Sequence, residues 1–532
     1  VPSLVRLFAR TNLPPYGARR GLRAMAVLKR EHLLLASSCV VGGVLLASAV
    51  KRLFYYPFPG PRERGPLGPK QVTSLRKTME ILYEKYSAGG TSPVSLRSLG
   101  RLIVVLGNAD DIKDVLRRRP HDFVRDPTFQ LTAVKASSAG LFAAEGVHWQ
   151  RQRRAYIPAF SMKNVMSMIP VIEERSQALL DKFTALGTVE DVRRWFQYLT
   201  TDVICETSLG IKFHYIENAE VDTDDEHVTF LKLIQARLDE QISYFLRKPH
   251  TAVIAKFAPR WLSARWDQIR IFFERTAKIH KMTKKVVKER MAHVQQNPTQ
   301  VSHSLMEQAI RVMDKEGEKL WSQEDKVEVL QANVSTFWVA GSETTANTLS
   351  WLFHHISSSP EWHTKCRDQV LSVMGSADCW ASLPGEKLWD LTLLRACLNE
   401  TNRLSPTIPL STVNAGKDLE WKGQHIPAGT QFMLLVQYSS RKSVDRGDEW
   451  LPHRWLDEGG ALRSEDTVCP TLVFGSGPRV CPGRTLAELE ILVLASLLLR
   501  RFPTLQPLQP RDKVRAIERV TSYPRPFGLT FA

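Results

Sequence analysis

Residues 468–483 read VCPTLVFGSGPRVCPG and contain the tripeptide Val-Cys-Pro twice. Two glycines, Gly475 and Gly477, form a tight turn before the second cysteine, because glycine adopts positive φ at little steric cost. After Gly483 comes the apolar run TLAELEILVLASLLLR, which has the composition of a buried helix. Cys481 is therefore predicted to project from a loop at a helix N-terminus, where the helix dipole and free N–H groups favour a thiolate.

A thiolate in this position is either a nucleophile or a metal ligand. Phe474 and the glycines allow a flat group to approach closely, and Arg479 places a cation two residues before the sulfur. Haem satisfies both features, since its iron takes a thiolate and its propionates take a cation. Cys469 has neither a glycine loop nor a helix start behind it, so it is predicted to be a structural thiol.

The composition indicates a globular protein, because 532 residues that are 43% hydrophobic bury a large core. Seven cysteines without C-x-x-C or zinc-ligand spacing argue against a disulfide scaffold and a zinc site, and fit a reducing compartment. The net charge of +17 is not accompanied by a finger or RRM signature, so no nucleic acid is expected. A membrane surface or an acidic protein partner explains the charge better.

Residues 33–50, LLLASSCVVGGVLLASAV, run without a charge between two basic pairs and reach the lower length limit of a transmembrane helix. We interpret them as an anchor; the alternative is a cleaved signal peptide. Residues 1–32 form a basic segment that is also typical of mitochondrial or plastid transit peptides, with Met25 a candidate start. Counted from Met25, more Lys and Arg follow the span than precede it, which predicts a cytosolic body. Residues 51–69, rich in Pro and Gly, are predicted to be a stiff hinge.

The body of the chain, residues 70–532, is predicted to be mainly helical with a small β portion. Apolar residues at three-to-four spacing predict helices at 162–186, 228–247, 264–295, 326–357, 360–374 and 484–501. Short strands are predicted at 101–107 and within 419–437. We expect one large domain, since no internal repeat divides this part of the chain.

Three further motifs indicate functional residues, but each is weak evidence by itself. AGSETT, residues 340–345, places Glu343 on a helix with an apolar face, and burying an acid is costly without a reason. A hydrogen-bonded polar patch on a core helix explains it equally well. Glu400 and Arg403 form an E-x-x-R pair on one helical face, a common pattern of surface helices. Trp149 and Arg153 lie one helical turn apart in HWQRQRRAYIPAF, which is also typical of a basic amphipathic helix.

Together these motifs resemble the cytochrome P-450 superfamily, the haem-thiolate monooxygenases, in its membrane-anchored eukaryotic microsomal type. Residues 474–483 match its cysteine-ligand loop at every signature position, and the other motifs follow in the family's chain order. The resemblance covers roughly residues 70 to 532. It implies the cytochrome P-450 fold, with a long central helix over the haem, the Cys-ligand loop beneath it and an N-terminal transmembrane helix.

The resemblance also implies the cofactor and its contacts. Cys481 becomes the axial ligand of the iron of haem b, iron protoporphyrin IX. The other implied cofactor contacts are Arg479, Phe474, Gly475, Gly483, Trp149, Arg153, Ala340 and Gly341. Many relatives carry a basic propionate contact where this chain offers Asn414 or Lys417, which leaves that contact open.

Reaction roles follow from the same resemblance. Ala340 and Gly341 are expected to leave room for dioxygen, Thr344 to donate a hydrogen bond to it, and Glu343 to relay protons. Glu400, Arg403 and Arg454 are expected to form a buried structural network near the haem. A further expectation is that Arg151 and Arg154 face solvent and suit the docking of an acidic reductase.

The activity implied is insertion of one oxygen atom of O2 into a lipophilic small molecule, by hydroxylation or epoxidation. Electrons would come from NADPH through NADPH-cytochrome reductase, with cytochrome b5 as a further candidate partner. The implied location is the endoplasmic reticulum membrane, single-pass and in contact with lipid, with a mitochondrial or plastid membrane as the alternative. A fatty acid, sterol, terpenoid or xenobiotic substrate is equally compatible. A haem-thiolate isomerase or dehydratase that needs no O2, and a non-catalytic haem-binding membrane protein, remain alternatives.

Overall fold

The computed structural model describes residues 75–98, 101–126, 139–218, 233, 267–300 and 302–532. The helices in this part are α1 (Leu75–Tyr86), α2 (Ala109–Arg117), α3 (Gly146–Tyr156), α4 (Met162–Met166), α5 (Ile169–Leu186), α6 (Val192–Leu209), α7 (Tyr215–Asn218), α8 (Asp267–Gln296), α9 (Leu305–Glu316), α10 (Gln323–Ser357), α11 (Pro360–Met374), α12 (Thr392–Leu404), α13 (Val436–Lys442), α14 (Glu465–Val468) and α15 (Arg484–Arg501). The strands are β1 (Val94–Ser98), β2 (Arg101–Leu106), β3 (Phe123–Val124), β4 (Thr188–Val189), β5 (Ser411–Ala415), β6 (Leu419–Trp421), β7 (Gln424–Ile426), β8 (Gln431–Leu434), β9 (Leu505–Pro507), β10 (Arg515–Glu518), β11 (Ser522–Arg525) and β12 (Leu529–Phe531).

Helix α10, 35 residues long, is the central element of this fold. Its first turn is capped by Ser322, whose side chain accepts a hydrogen bond from the Asp325 N–H, and acidic residues there suit the positive end of the helix dipole. Helix α6 packs along α10 at close range, because Gly341 has no side chain at the contact. A Cβ there would lie 2.6 Å from Ile204 Cγ1. The Thr200 hydroxyl donates to the Ser342 carbonyl at 2.7 Å and fixes the pair further.

Helix α15 is apolar on nearly all sides, and most of its residues are buried. A helix of this kind is stable only when neighbours cover it completely. Helices α5 and α11 do so, and α10 contributes a further contact. The N-terminus of α15 follows Gly483 directly, so a rigid core helix supports the loop that bears Cys481.

A five-stranded sheet lies beside the helices, with strand order β1-β2-β8-β5-β3. Strand β2 pairs parallel with β8, Ile103 opposite Gln431, and antiparallel with β1. Along β2, Val104 and Leu106 pack on one side of the sheet, while Ile103 and Val105 pack on the other. Burial of both faces explains the continuous apolar run that predicted this strand.

The predicted fold class, mainly α with a small β portion, is confirmed. The helices predicted at 326–357, 360–374 and 484–501 are observed with bounds within three residues. The helix predicted at 162–186 is instead two helices, α4 and α5, and Pro170 in the first turn of α5 lacks the N–H that would continue the first.

Several sequence predictions concern residues outside the part of the chain that the structure describes. The anchor at 33–50, the hinge at 51–69 and all but Leu233 of the helix at 228–247 lie outside the described residues. Among the helices that are described, none is both long and apolar enough to cross a bilayer. The described residues all belong to one compact unit, Phe58–Ala532.

Candidate active site

The loop before Cys481 is shaped by two glycines with positive φ, Gly475 at +75° and Gly477 at +71°. A Cβ on Gly477 would lie 2.7 Å from the Arg117 Cα, so only glycine lets the loop rest on the end of α2. The Cys481 N–H donates to the Phe474 carbonyl at 2.9 Å and closes the turn. The loop is thus held by backbone contacts in the segment that precedes the cysteine.

Cys481 is an exposed residue, although protein atoms surround its thiol on most sides. Burial raises the pKa of its thiol, while the N–H groups of Gly483 and Arg484 and the charge of Arg153 lower it. The expected stabilisation of a thiolate by the helix N-terminus is therefore present but is outweighed by desolvation. A bound metal cation would reverse this balance, since a coordinating thiol loses its proton.

Cys469 lies in a different environment. Its side chain is buried, and its sulfur contacts the Ser440 carbonyl at 3.3 Å. Burial raises the pKa of this thiol to about 11. A buried, protonated thiol of this kind is chemically inert.

One side of α10 opens onto accessible space at Ala340, in the middle of an otherwise largely buried helix. One turn later, the Thr344 hydroxyl donates to the Ala340 carbonyl at 2.5 Å. The Thr348 hydroxyl donates in turn to the Thr344 carbonyl at 3.0 Å. Gly341, by contrast, makes the close contact with α6 described above. The structure therefore separates the two small residues, with Ala340 on the open side and Gly341 in a helix contact.

Glu343 is held by residues from two other elements. The Thr521 hydroxyl, in the turn between β10 and β11, donates to Glu343 Oε1 at 2.6 Å. The Arg193 guanidinium lies 3.8 Å from the same oxygen, donates to Asn347 Oδ1 at 2.7 Å, and stacks 4.0 Å from the Tyr523 ring centroid. Sequence patterns missed Arg193 and Thr521, because nothing local marks residues that meet Glu343 only in the folded chain.

Several arginines gather around Glu145, and one of them, Arg479, belongs to the cysteine loop. Arg479 stacks over the Trp149 ring, with 4.3 Å between its central carbon and the ring centroid. Its Nη2 donates to Glu145 Oε2 and to the Ala144 carbonyl, both at 2.6 Å. Arg119 lies 3.5 Å from the same carboxylate. The Arg125 backbone N–H donates to Glu145 Oε1 at 2.9 Å.

The guanidinium groups of Arg479 and Arg119 both approach the Glu145 carboxylate, so these contacts set two positive charges against one negative charge. Burial lowers the pKa of Arg479 to about 10 and that of Arg125 to about 9, with further lowering by neighbouring arginines. The buried Nε atoms of Arg479 and Arg119 have no hydrogen-bond partner in the described part of the chain. Burial also lowers the pKa of Arg153, and the charge of Cys481 opposes that shift. A flat group bearing a metal ion and two carboxylates fits this donor set, and haem has that composition.

Sequence patterns identified Arg479, Trp149 and Arg153 but missed Arg119 and Arg125. The available signal was the basic stretch RRRPHDFVRD at 117–126. Such a stretch is usually a solvated surface, so composition alone does not distinguish these two residues.

The Glu400 side chain is completely buried and lies at the centre of a hydrogen-bond network. Arg403 donates to it through Nε and Nη2 at 2.8 and 2.9 Å, and Arg454 through Nε at 3.1 Å. The Leu451 N–H and the Trp455 indole N–H donate as well, each at 2.8 Å. The structure therefore brings Glu400, Arg403 and Arg454 together.

Lys417 and Asn414, the two residues considered for the open propionate contact, have protein partners in the structure. The Lys417 ammonium pairs with Asp122 at 2.9 Å. The Asn414 amide, in the orientation that satisfies both its atoms, accepts from Arg101 and donates to the Val413 carbonyl.

The expectation that Arg151 and Arg154 both face solvent is corrected by the structure. Arg151 is half-buried and stacks on Trp321, 4.4 Å from its ring centroid. Arg154 is exposed but pairs with Glu316 at 2.6 Å. Stacking on an indole takes Arg151 out of solvent, so the basic set expected to suit a reductase is reduced.

Comparisons with known proteins identify the family of the chain. The family model described as Cytochrome P450 matches residues 70–531. The chain is 26% identical to cytochrome P450 4d1 of Drosophila melanogaster, over 88% of this chain and 92% of that protein. It is 27% identical to 11-oxo-beta-amyrin 30-oxidase of Glycyrrhiza uralensis, over 75% and 73%. The fold is similar to the crystal structure of a mutant cytochrome P450DA heme domain, with a TM-score of 0.73, 21% identity, and coverage of 90% and 98%.

Proposed function

Because this chain belongs to the cytochrome P450 family, we propose that it holds haem b through Cys481 and oxidises a lipophilic small molecule with O2. In general terms the chain is a haem-thiolate monooxygenase, an oxidoreductase. The observation that supports the proposed site is the exposed residue Cys481 beside a buried surplus of guanidinium charge. Arg153 links the two, since its charge acts on both Cys481 and Arg479.

We assign the cofactor contacts as follows. Cys481 ligates the iron, and the N–H groups of Gly483 and Arg484 reduce the negative charge on its sulfur. Arg479, Arg153 and Trp149 hold the propionates, and we add Arg119 and Arg125 to this set. Phe474 and Gly475 shape the loop against the flat group. The bound haem supplies the iron that activates dioxygen, and thiolate ligation favours O–O cleavage.

The residues of α10 supply space and protons. Ala340 leaves the open side of the helix clear for small molecules. Thr344 and Glu343 hold and move protons at Thr344 Oγ1 and Glu343 Oε1. In the present structure Thr344 bonds its own helix and Glu343 bonds Thr521, so each must exchange a partner to pass a proton on.

Further proposals rest on the family and the sequence. They are hydroxylation or epoxidation, electrons from NADPH through NADPH-cytochrome reductase with cytochrome b5 as a further partner, and location in the endoplasmic reticulum membrane. Residues 33–50 would be the anchor, 51–69 the hinge, and 70–532 the cytosolic catalytic domain. The name 11-oxo-beta-amyrin 30-oxidase describes oxidation of an organic molecule by one relative, which agrees with a reaction of this kind.

The test is the carbon monoxide difference spectrum of the reduced protein, with Cys481→Ala and Cys469→Ala beside it. Wild type and Cys469→Ala are expected to show the red-shifted Soret band of thiolate ligation. Persistence of that band in Cys481→Ala contradicts the assigned ligand. Turnover that proceeds without NADPH and O2 would instead support the isomerase or dehydratase.

A further inference from the structure

Glu145 is a carboxylate placed among the cations that would hold the haem propionates. We propose that it is a positioning residue, which holds Arg479 and Arg119 so that their remaining N–H groups stay available to the cofactor. This inference rests on the proposed haem site. It concerns a residue that touches the arginines and not the reacting atoms.

The contacts of Glu145 connect three separate parts of the chain. One oxygen accepts from Arg479 Nη2 at 2.6 Å. The other accepts the Arg125 backbone N–H at 2.9 Å and lies 3.5 Å from Arg119 Nη2. Glu145 also immediately precedes α3, the helix that carries Trp149. One side chain therefore sets the relative positions of the cysteine loop, the segment after α2, and α3.

The carboxylate is needed because like charges are gathered where water is scarce. Arg119 Nη2 and Arg479 Nη2 both approach the Glu145 carboxylate, at 3.5 and 2.6 Å, so their like charges lie close together and repel one another. Without an anion among them, guanidinium groups on flexible side chains would turn toward solvent. Glu145 offsets this repulsion and engages Arg479 through Nη2 only. The Nε atoms of Arg479 and Arg119 are left buried without a partner in the described residues, as donors awaiting an acceptor.

An alternative role for Glu145 predicts the opposite change in haem binding when the carboxylate is removed. If Glu145 merely competed with the propionates for Arg479, its removal would strengthen haem binding. If Glu145 positions the arginines, its removal must weaken binding, because the guanidinium groups lose their geometry. The rate of haem release therefore separates the two by sign.

The experiment uses the full-length, haem-loaded protein. Haem transfer to apomyoglobin is timed for wild type, Glu145→Gln and Glu145→Asp, and for the exposed control Glu361→Gln. Glu145→Gln is expected to release haem roughly tenfold faster, the scale found for residues that orient ligands. Glu145→Asp, which keeps the charge, is expected to recover part of that loss. Slower or unchanged release in Glu145→Gln overturns the proposal.

The ferric–ferrous reduction potential provides a readout that does not depend on turnover. Removing a negative charge near the haem favours the state with one more electron, so Glu145→Gln is expected to shift the potential upward while Glu361→Gln does not. An unshifted potential counts against the proposal.

Two further measurements keep the outcome clear. If Glu145→Gln does not fold, Glu145→Asp, which keeps the charge but shortens the reach to Arg479 and Arg119, is expected to accelerate release by less than tenfold relative to wild type, and no acceleration refutes the idea. A wild-type protein that binds no haem, or lacks the thiolate band, refutes the proposed function itself. A haem-loaded wild type with unaltered variants refutes only the role of Glu145.

Discussion

Glu400→Gln is expected to cause a large loss of stability, because the Glu400 carboxylate is buried among its hydrogen-bond donors. The glutamine has the same shape but no charge, and one of its two terminal atoms becomes a donor. The Glu400 oxygens now accept five hydrogen bonds, from Arg403, Arg454, Leu451 and Trp455. At least two of these donors would face an NH2 group and lose their acceptor.

The magnitude follows from burial. The side chains of Glu400 and Arg403 are completely inaccessible to solvent, and breaking such a pair costs about 3–5 kcal/mol. Arg403 keeps two other acceptors, the Gly447 and Glu449 carbonyls at 2.7 and 2.8 Å, which hold it in place. The lower part of the range, about 3–4 kcal/mol, is therefore expected. That is a large share of the 5–15 kcal/mol typical of a folded protein.

Urea unfolding followed by tryptophan fluorescence measures this loss, since Trp455 and Trp450 lie in the affected region. Glu361→Gln is the matched control, because its carboxylate is exposed and pairs only with Lys365 one turn away on α11. An exposed pair of this kind contributes little to stability, because solvent and salt screen it. A loss below about 1 kcal/mol in Glu400→Gln would refute the reasoning from buried charge.

Three other predictions test the loop, the helix contact and the pH dependence. Gly477→Ala should lower the free energy of unfolding more than Gly475→Ala, since both have positive φ but only the first added Cβ would meet backbone, at 2.7 Å. If urea unfolding shows that both variants lose the same free energy of unfolding, this prediction is wrong. Gly341→Ala should be destabilising and partly rescued by Ile204→Ala, because the added Cβ would lie 2.6 Å from Ile204 Cγ1; additive losses in a double-mutant cycle contradict that contact. Burial lowers the pKa of His354 from its usual 6.5 to about 4. Below pH 6.5, His354 binds a proton in the unfolded chain but stays neutral in the folded chain. The free energy of unfolding therefore falls by up to about 3 kcal/mol as the pH decreases toward 4. His354→Asn should flatten this decline, and an unchanged slope in urea midpoints between pH 7.5 and 4.5 contradicts it.

The parts of the site that could be predicted from the sequence are those encoded within one turn or one helix. Cys481 with its glycines, Glu343 with Thr344, and Glu400 with Arg403 are neighbours along the chain, so a short pattern identifies them. The bounds of the helices predicted at 326–357, 360–374 and 484–501 held for the same reason, because apolar spacing is a local property.

Residues that act through long-range packing could not be predicted in this way. Thr521 reaches Glu343, and Arg119 reaches Glu145, only because sheet and helix packing bring distant segments together. The contact of Gly341 with α6 could not be predicted for a related reason. Helix α10 is buried around most of its circumference, so no polar face indicates which side meets α6 and which meets open space.

The parallel pairing of β2 with β8 has a consequence for how the chain is made. Residue 103 leaves the ribosome about 330 residues before its partner 431 exists, a contact of very high sequence separation. At about 5–20 residues per second, that interval is roughly 15 to 65 seconds. During this interval, the edge of the apolar strand β2 that later pairs with β8 has no hydrogen-bond partner. Synthesis of this protein therefore includes a long period in which chaperones must shield its early half from other chains.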